Sequence, residues 1–570
     1  MKKITSTFAC LCACGWFTFL SCSPPEVGER SVNLIPAPTS VKTGEQVFTL
    51  NQKSDISYSD PSLKEVAEDL AAYIRDLTGW TLSIPSSPSG RGKIHLELTP
   101  EISGLKDLLA IWGASPKDGN PADEQYSLSI QKKQIRLQAT TPEGIYRGTT
   151  SLKQLAAGNR SAKGEPIYLP VLEVKDSPRF AWRGLSLDVS RCFFTPEEVK
   201  QVIDMLALYK MNVLHIHLTD NQGWRIEINK YPKLTEIGSQ MPNEGKPAGY
   251  YTQQQFKELV QYAAGRFITI VPEIDIPGHA AALFASYPGL KDAVQLNVDL
   301  NLSGQALGAL DADDPYTMQL VKDVITEVAA LTPGSYIHIG GDETLGLSED
   351  KFIRFVNQTR QFVLDNGKKM VGWQEVCRAD ITAGDLFQHW IYFKGNMEIA
   401  GDGESAGLSP EVMKLLMEMF SKAAEDVESG ISRKARAIVS PSTYVYLDHR
   451  YLEPSTDPAQ ADEQERLGMP AYPKQTIEQM YDWNPSTFNP LLDPSQNIGG
   501  IEAAIWCETI SSFRELQFML MPRLAGVAEK GWSKVEDTSW EEYRTRLSSH
   551  PLLWETAHWN YFKSSLVDWK

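Results

Sequence analysis

Two carboxylates adjoin in the stretch YIHIGGDETLG, Tyr336 to Gly346: Asp342 and Glu343. Hydrolases that use two acids usually set them on opposite sides of the scissile bond. Neighbours on a regular strand point to opposite faces. If both acids are to reach one ligand, the alternation must break, and Gly340-Gly341 is where a break is expected. Other reactive types follow similar short apolar runs. They are Asp188 and Arg191; His217, Asp220 and Trp224; Glu273, Asp275 and His279; Trp373; His389 and Trp390; Tyr446 and Asp448; Trp506 and Glu508.

Three chemistries compete for these residues. His217, Asp220, Asp275 and His279 are metal-ligand types, and His215-Ile-His217 brings two imidazoles close. Yet there is no HxxxH to put two histidines on one helix face. A serine nucleophile would be announced by GxSxG, which does not occur. Carboxylates combined with several tryptophans fit sugar chemistry. An indole face covers the apolar CH surface of a pyranose, while carboxylates and arginine take its hydroxyls.

The elements that must hold these groups alternate. Strands are predicted at 184–190, 213–219, 268–275, 336–341, 369–373, 386–392, 435–441 and 501–506. Helical patterns fall between several of them, and TPEEVKQVIDMLALYKMN opens with a capping-box signature. Eight strands with intervening helices indicate a (β/α)8 barrel, in which function collects at the C-terminal strand ends. The reactive residues stand at those ends. An open doubly wound sheet is the rival, but no GxGxxG opens a helix. Before the barrel, 31–177 reads as a small α/β domain with an antiparallel sheet, its hairpin turning at Lys132-Lys133. The barrel is assigned to 178–530 and a helical tail packed on it to 531–570. Long insertions at 395–434 and 449–500 are expected to be loops or extra helices.

The chain carries a net charge of −17 and no basic stripe, which excludes nucleic acid as the expected partner. Lys2 and Lys3 precede the apolar run 8–20, too short to span a bilayer, and FLSC then places Cys22 before Ser-Pro-Pro. This resembles a bacterial lipoprotein signal over 1–22, with Cys22 lipidated. The implied location is the cell envelope, periplasmic or at the surface, with membrane contact through the lipid only. Downstream, Cys192, Cys377 and Cys507 have no disulfide or CxxC spacing and are expected to be buried thiols.

RGLSLDVSRCFF, HIHLTDNQGWRI, PEIDIPGH, HIGGDE, GWQE, YVYLD and IWCE, in this order, resemble the motifs of family-20 glycoside hydrolases, the β-N-acetylhexosaminidases. The resemblance covers roughly residues 31 to 530. It implies that Glu343 is the general acid/base and that Asp342 handles the substrate's acetamido group. It implies that Arg191 and Glu508 bind sugar hydroxyls and that Trp373, Trp390 and Trp506 wall the N-acetyl pocket. Tyr446 should donate to the acetamido carbonyl, with Asp448 nearby at the sugar. Asp220, His279 and His217 should stand behind Glu343. The substrate implied is a glycan ending in an N-acetylhexosamine, with no cofactor and no resident metal. Two departures stand out: Cys192 replaces the usual His after DVSR, and the acidic pair after strand two reads Asp220-Asn221. An inactive glycan-capturing barrel and a metal-dependent hydrolase remain the alternatives.

Overall fold

The computed structural model describes residues 32–570 except 103–104, 106–109, 118, 242–244, 295–307, 393–409, 535 and 537. The leader, with Cys22, and residues 395–409 of the 395–434 insertion lie outside the described residues; the rest of that insertion forms the helices Pro410–Ser421 and Ala423–Ser432.

The first module is a six-stranded sheet in the order Ser40–Leu50, Ile167–Asp176, Tyr126–Ile130, Ile135–Ala139, Ile94–Leu98, Ile56–Tyr58. The first four strands pair antiparallel, and the expected hairpin closes where the Gln131 amide donates to the Gln134 carbonyl at 2.9 Å. The last two pairings are parallel. Parallel neighbours need a crossover, and the amphipathic helix Lys64–Thr78 supplies it between Ile56–Tyr58 and Ile94–Leu98. The outer strand Ser40–Leu50 is mostly exposed, so its sequence, SVKTGEQVFTL, alternates only at its end.

The helix Pro142–Gly158 is capped by Thr141 and is buried almost along its whole length. A helix buried on all sides lies between two layers. This one lies between the sheet and the barrel. Its Arg147 donates to Glu124 at 2.8 Å, and Arg183 at the root of the barrel reaches the same carboxylate. The three side chains are buried, so the two modules are pinned by charges that neither can release cheaply.

The barrel is closed by eight parallel strands. They are β1 Arg183–Asp188, β2 Val213–His217, β3 Thr269–Glu273, β4 Tyr336–His338, β5 Lys369–Trp373, β6 Leu386–His389, β7 Arg436–Val439 and β8 Ile498–Ile505. All eight expected strands are present, shorter than read at most C-terminal ends. The polar groups that end each run bend away from strand geometry to form the mouth. The capping box at Thr195 and Glu198 starts the helix Pro196–Leu208 as expected. In the tail, Trp554 is buried and its indole donates to the Tyr209 hydroxyl at 2.7 Å.

Candidate active site

The loop after β4 explains how adjacent acids share one target. Gly340 and Gly341 have φ of 69° and 95°, and Glu343 itself has φ of 47°. Side chains tolerate such values poorly. A Cβ on Gly340 would lie 1.7 Å from Asp275 Oδ1, and one on Gly341 2.8 Å from Val376 Cγ1. Only glycine fits either position. The expected break in alternation is therefore there, and it brings both acids to His279. Its Nε2 lies 3.8 Å from Asp342 Oδ2 and 3.6 Å from Glu343 Oε2. Asp342 is buried, whereas 39% of the Glu343 side chain is exposed. Glu343 faces the opening and Asp342 the interior.

A chain of charges runs back from this pair. His279 Nδ1 meets Asp220 Oδ1 at 3.1 Å. Asp220 sits in a small hairpin just beyond β2, where Thr219–Asp220 pairs with Gly223–Trp224. Its Oδ2 receives Arg191 Nη2 at 2.7 Å and meets His217 Nε2 at 2.8 Å. His217 Nδ1 then meets Glu273 Oε2 at 2.6 Å. Glu273 collects His215 and His338, each at 3.0 Å, and accepts from the Trp373 indole at 3.0 Å. Burial alone would raise the Asp220 and Glu273 carboxyls. The cations around them override it and hold both well below the carboxylate range. Burial would lower His279, but Asp220, Asp275 and Asp342 hold its imidazolium well above the usual range.

Asp342 behaves differently. Burial and the charge of Asp275 push its carboxyl well above the usual value, His279 opposes this, and Glu343 adds to it. Asp275, which accepts the Gly341 amide at 3.2 Å, is itself raised to about 7, by burial first. Glu375, from the GWQE segment, is raised to about 8, by burial and then by Asp342. These carboxyls ionise later in the fold than in the unfolded chain. Above the unfolded values the native state thus binds more protons, and stability falls as pH rises until about 7 to 8. One such proton is worth roughly 1.4 kcal/mol per pH unit. Between pH 5 and pH 8 these two carboxyls should therefore pull Tm down as pH rises, and thermal melts of Asp275→Asn should show a less negative slope than the parent. A slope unchanged by the variant would count against this account.

Aromatic walls rise from the other strand ends. Trp390 and Tyr446 lie parallel, 6° apart in plane, with centroids 6.4 Å apart. Trp506 stands 6.0 Å from Tyr446 and 5.7 Å from Trp373, and Trp373 stands 6.5 Å from Trp390. At the next side, Asp188 accepts the Ser190, Arg191 and Cys507 amides, fixing the turn that presents Arg191 and the segment that presents Glu508. Arg191 lies 3.9 Å from the Glu508 carboxylate and 5.3 Å from the Trp506 ring centre. Burial, and then their mutual charge for Asp448, raise Asp448 and Glu508 above the usual range.

The residues from Arg191 to Glu508 expected at the catalytic site thus gather in one mouth of the barrel. Among the described residues, several buried polar atoms there have no hydrogen-bond partner: His279 Nε2, Asp342 Oδ1, Glu375 Oε1 and both Asp448 oxygens. Buried polar atoms are normally satisfied, so a cluster of orphans between aromatic walls marks a polar ligand with an apolar face. The role of Glu273 as a hub for three histidines was not legible, since His215 and His338 point inward from strand interiors. Tyr472 was missed as well. It stacks on His449 at 4.8 Å, stands edge-on to Tyr446 at 6.2 Å, and feels the Glu343 and Glu508 charges. It comes from the 449–500 insertion, which has no periodicity to place it. The three downstream thiols are buried and free, as expected. Cys192, in place of histidine, lies under the site with its thiol raised to about 12, by burial first.

Comparison with known proteins agrees with this geometry. The model of the glycosyl hydrolase family 20 catalytic domain matches residues 180–351 and 345–535, and that of the family's domain 2 matches 31–177. A β-N-acetylhexosaminidase of Cellulomonas fimi is 35% identical over 452 residues, covering 78% of this chain and 82% of its own. A β-hexosaminidase of Porphyromonas gingivalis is 29% identical over 581 residues, 96% of this chain and 67% of its own. A solved structure of Streptomyces plicatus N-acetyl-β-hexosaminidase in complex with Thio-NAglucal superposes with a TM-score of 0.78 at 34% identity, over 94% of this chain and 98% of that one. A mutant of the same enzyme in complex with the product GlcNAc gives the same values. Fold, site and sequence converge: the chain belongs to glycosyl hydrolase family 20.

Proposed function

We propose that the enzyme removes terminal, non-reducing β-linked GlcNAc or GalNAc from glycans, with retention, by a mechanism in which the substrate supplies the nucleophile. The observation that carries this is the placement of the two acids. They adjoin on one turn and both approach one histidine, an arrangement that favours a shared side of the sugar over opposite sides of the scissile bond. The nucleophile is then the 2-acetamido oxygen of the substrate, carried on the carbon next to the anomeric centre.

The residues divide the work as follows. Trp373, Trp390 and Trp506 enclose the acetamido methyl, and Tyr446 donates to its carbonyl oxygen. Asp342 accepts the acetamido N–H. The protein groups around Asp342 favour its protonated form. The N–H it accepts and the positive charge that grows on the forming oxazolinium favour its carboxylate form, which stabilises that charge. Glu343, at the opening, protonates the leaving oxygen and then takes a proton from the attacking water. His279, Asp220, His217 and Glu273 hold the pair in register. Arg191 and Glu508, with Asp448, bind the remaining hydroxyls.

An aryl N-acetyl-β-glucosaminide should be hydrolysed, and the matching aryl β-glucoside, which lacks only the acetamido group, should be slower by several orders of magnitude. Comparable kcat/KM for the two sugars would overturn the substrate-assisted step. Failure with both, alongside retained binding of GlcNAc, would favour the glycan-capturing alternative.

The leader supports a second proposal, that the enzyme is tethered to the cell envelope through lipid on Cys22. Among the described residues no helix is long and apolar enough to cross a membrane, and one lipid chain alone gives marginal anchoring. Cys22→Ala should move the protein from the membrane fraction to the soluble one. Unchanged fractionation would remove the anchor.

A further inference from the structure

A short helix after β5, Gln374–Arg378, stands between the two acids and the aromatic wall. On one side its Val376 packs on the loop of the acids, so closely that a Cβ on Gly341 would lie 2.8 Å from Val376 Cγ1. On the other side the helix holds Trp390 at two places. Gln374 Oε1 accepts the Trp390 amide at 3.1 Å and the Ile391 amide at 2.8 Å, which fixes the backbone. Glu375 Oε2 accepts the Trp390 indole N–H at 3.2 Å, which fixes the ring.

The backbone contact is itself secured. Asn489 donates to His389 Nε2 at 2.9 Å, so His389 Nδ1 carries the proton and gives it to Gln374 Oε1 at 3.1 Å. Gln374 Nε2 donates to the Ala423 carbonyl at 3.1 Å. With the backbone held, the freedom left to Trp390 is rotation of its side chain. Trp373 and Phe420 meet the indole edge-on, with centroids 6.5 and 6.4 Å away. Such contacts tolerate pivoting better than a directed hydrogen bond does. The N–H is the one polar group on the ring, so its partner sets the tilt. That tilt matters because the Trp390 and Tyr446 planes are only 6° apart. Two flat walls make a slot whose width follows the angle of either.

Glu375 is an unusual acceptor. It is 2% exposed, and Arg378 in the same short helix commits its fork to Asp426, at 2.8 and 2.7 Å. Burial first, and then the Asp342 charge, raise the Glu375 carboxyl to about 8. At pH 6 it is therefore a neutral acid. Its oxygen can be exchanged there for that of an amide without changing any charge.

We propose that Glu375 is a positioning residue for acyl-group specificity: by tethering the Trp390 indole it sets the width of the slot that admits the acetamido methyl and turns away longer acyl chains. This rests on the N-acetylhexosaminide reading above, in which Trp390 walls that slot.

The full chain is assayed at pH 6 with aryl β-glucosaminides whose amino group carries an acetyl, a propionyl or a butyryl group. Glu375→Met keeps the length of the side chain but has no oxygen. It should lower the acetyl-over-butyryl ratio of kcat/KM roughly three- to tenfold, the worth of one hydrogen bond. Glu375→Gln, which keeps an acceptor, should restore the parent ratio. Replacing Trp390 by 3-benzothienylalanine puts sulfur where the indole N–H was and should lower the ratio as Glu375→Met does. Combining the two changes should lower it no further, because both remove the same contact. A merely structural role would cut kcat for all three acyl groups alike and leave the ratio where it was. An unchanged ratio in Glu375→Met, or in the benzothienyl variant should Glu375→Met not fold, would refute the proposal. So would a ratio in Glu375→Gln as low as in Glu375→Met. A parent enzyme that hydrolysed the aryl β-glucoside as fast as the N-acetyl compound would instead sink the acetamido reading beneath it.

Discussion

Glu343→Gln should lose roughly 10²–10⁴ in kcat, the usual worth of a positioned general acid, with KM for an aryl N-acetyl-β-glucosaminide nearly unchanged. The side chain is at the opening and 39% exposed, and His279 Nε2 lies 3.6 Å from its carboxylate. An amide of the same shape keeps that contact but carries no transferable proton. The loss should also depend on the leaving group. An aryl group that departs readily as an anion needs little protonation, so its release should be nearly normal and the slow step should move to water attack. A poor leaving group should show the full loss at the first step. Equal losses across a series of leaving groups would mean that Glu343 acts by charge or shape alone. Near-normal hydrolysis throughout would remove it from the reaction.

The order of parts was legible because a barrel repeats a simple signal. Eight apolar runs, each ending in reactive residues, place those residues at one mouth whatever the strand lengths. The glycines before Asp342 were legible for a local reason: only a backbone freed from side-chain limits can turn two neighbours toward one target. Other features depend on tertiary contact. His215, His217 and His338 converge on Glu273 only because β2, β3 and β4 are adjacent, with Glu273 opposite both His217 and His338 in register. Tyr472 reaches the site from a long insertion with no period to fix its direction. The upward push on the Asp342 carboxyl was hidden most deeply. The adjacency of Asp342 and Glu343 does not announce Asp275, sixty-odd residues earlier, whose charge bears on Asp342 together with burial.

That crowding decides what Asp342→Asn should do. Removing the carboxylate leaves an amide oxygen that can still accept an N–H, so GlcNAc binding should survive. It cannot answer the positive charge that grows on the acetamido group as the oxazolinium forms. Single preorganised electrostatic groups are worth about 10²–10³ in kcat, and the loss here should be at least that large. Stability should move the other way. The carboxyl is buried beside Asp275 and Glu343, and burial already pushes it toward the neutral form. A neutral amide removes the Asp342 charge from that repulsion. The variant should therefore melt at the same temperature as the parent or higher, with the difference growing as pH rises. Lost activity with a lower Tm would point to a collapsed pocket. Lost activity with an equal or higher Tm would show that the fold tolerates this buried acid at a cost in stability, and that the acid is kept for the charge it meets during the reaction.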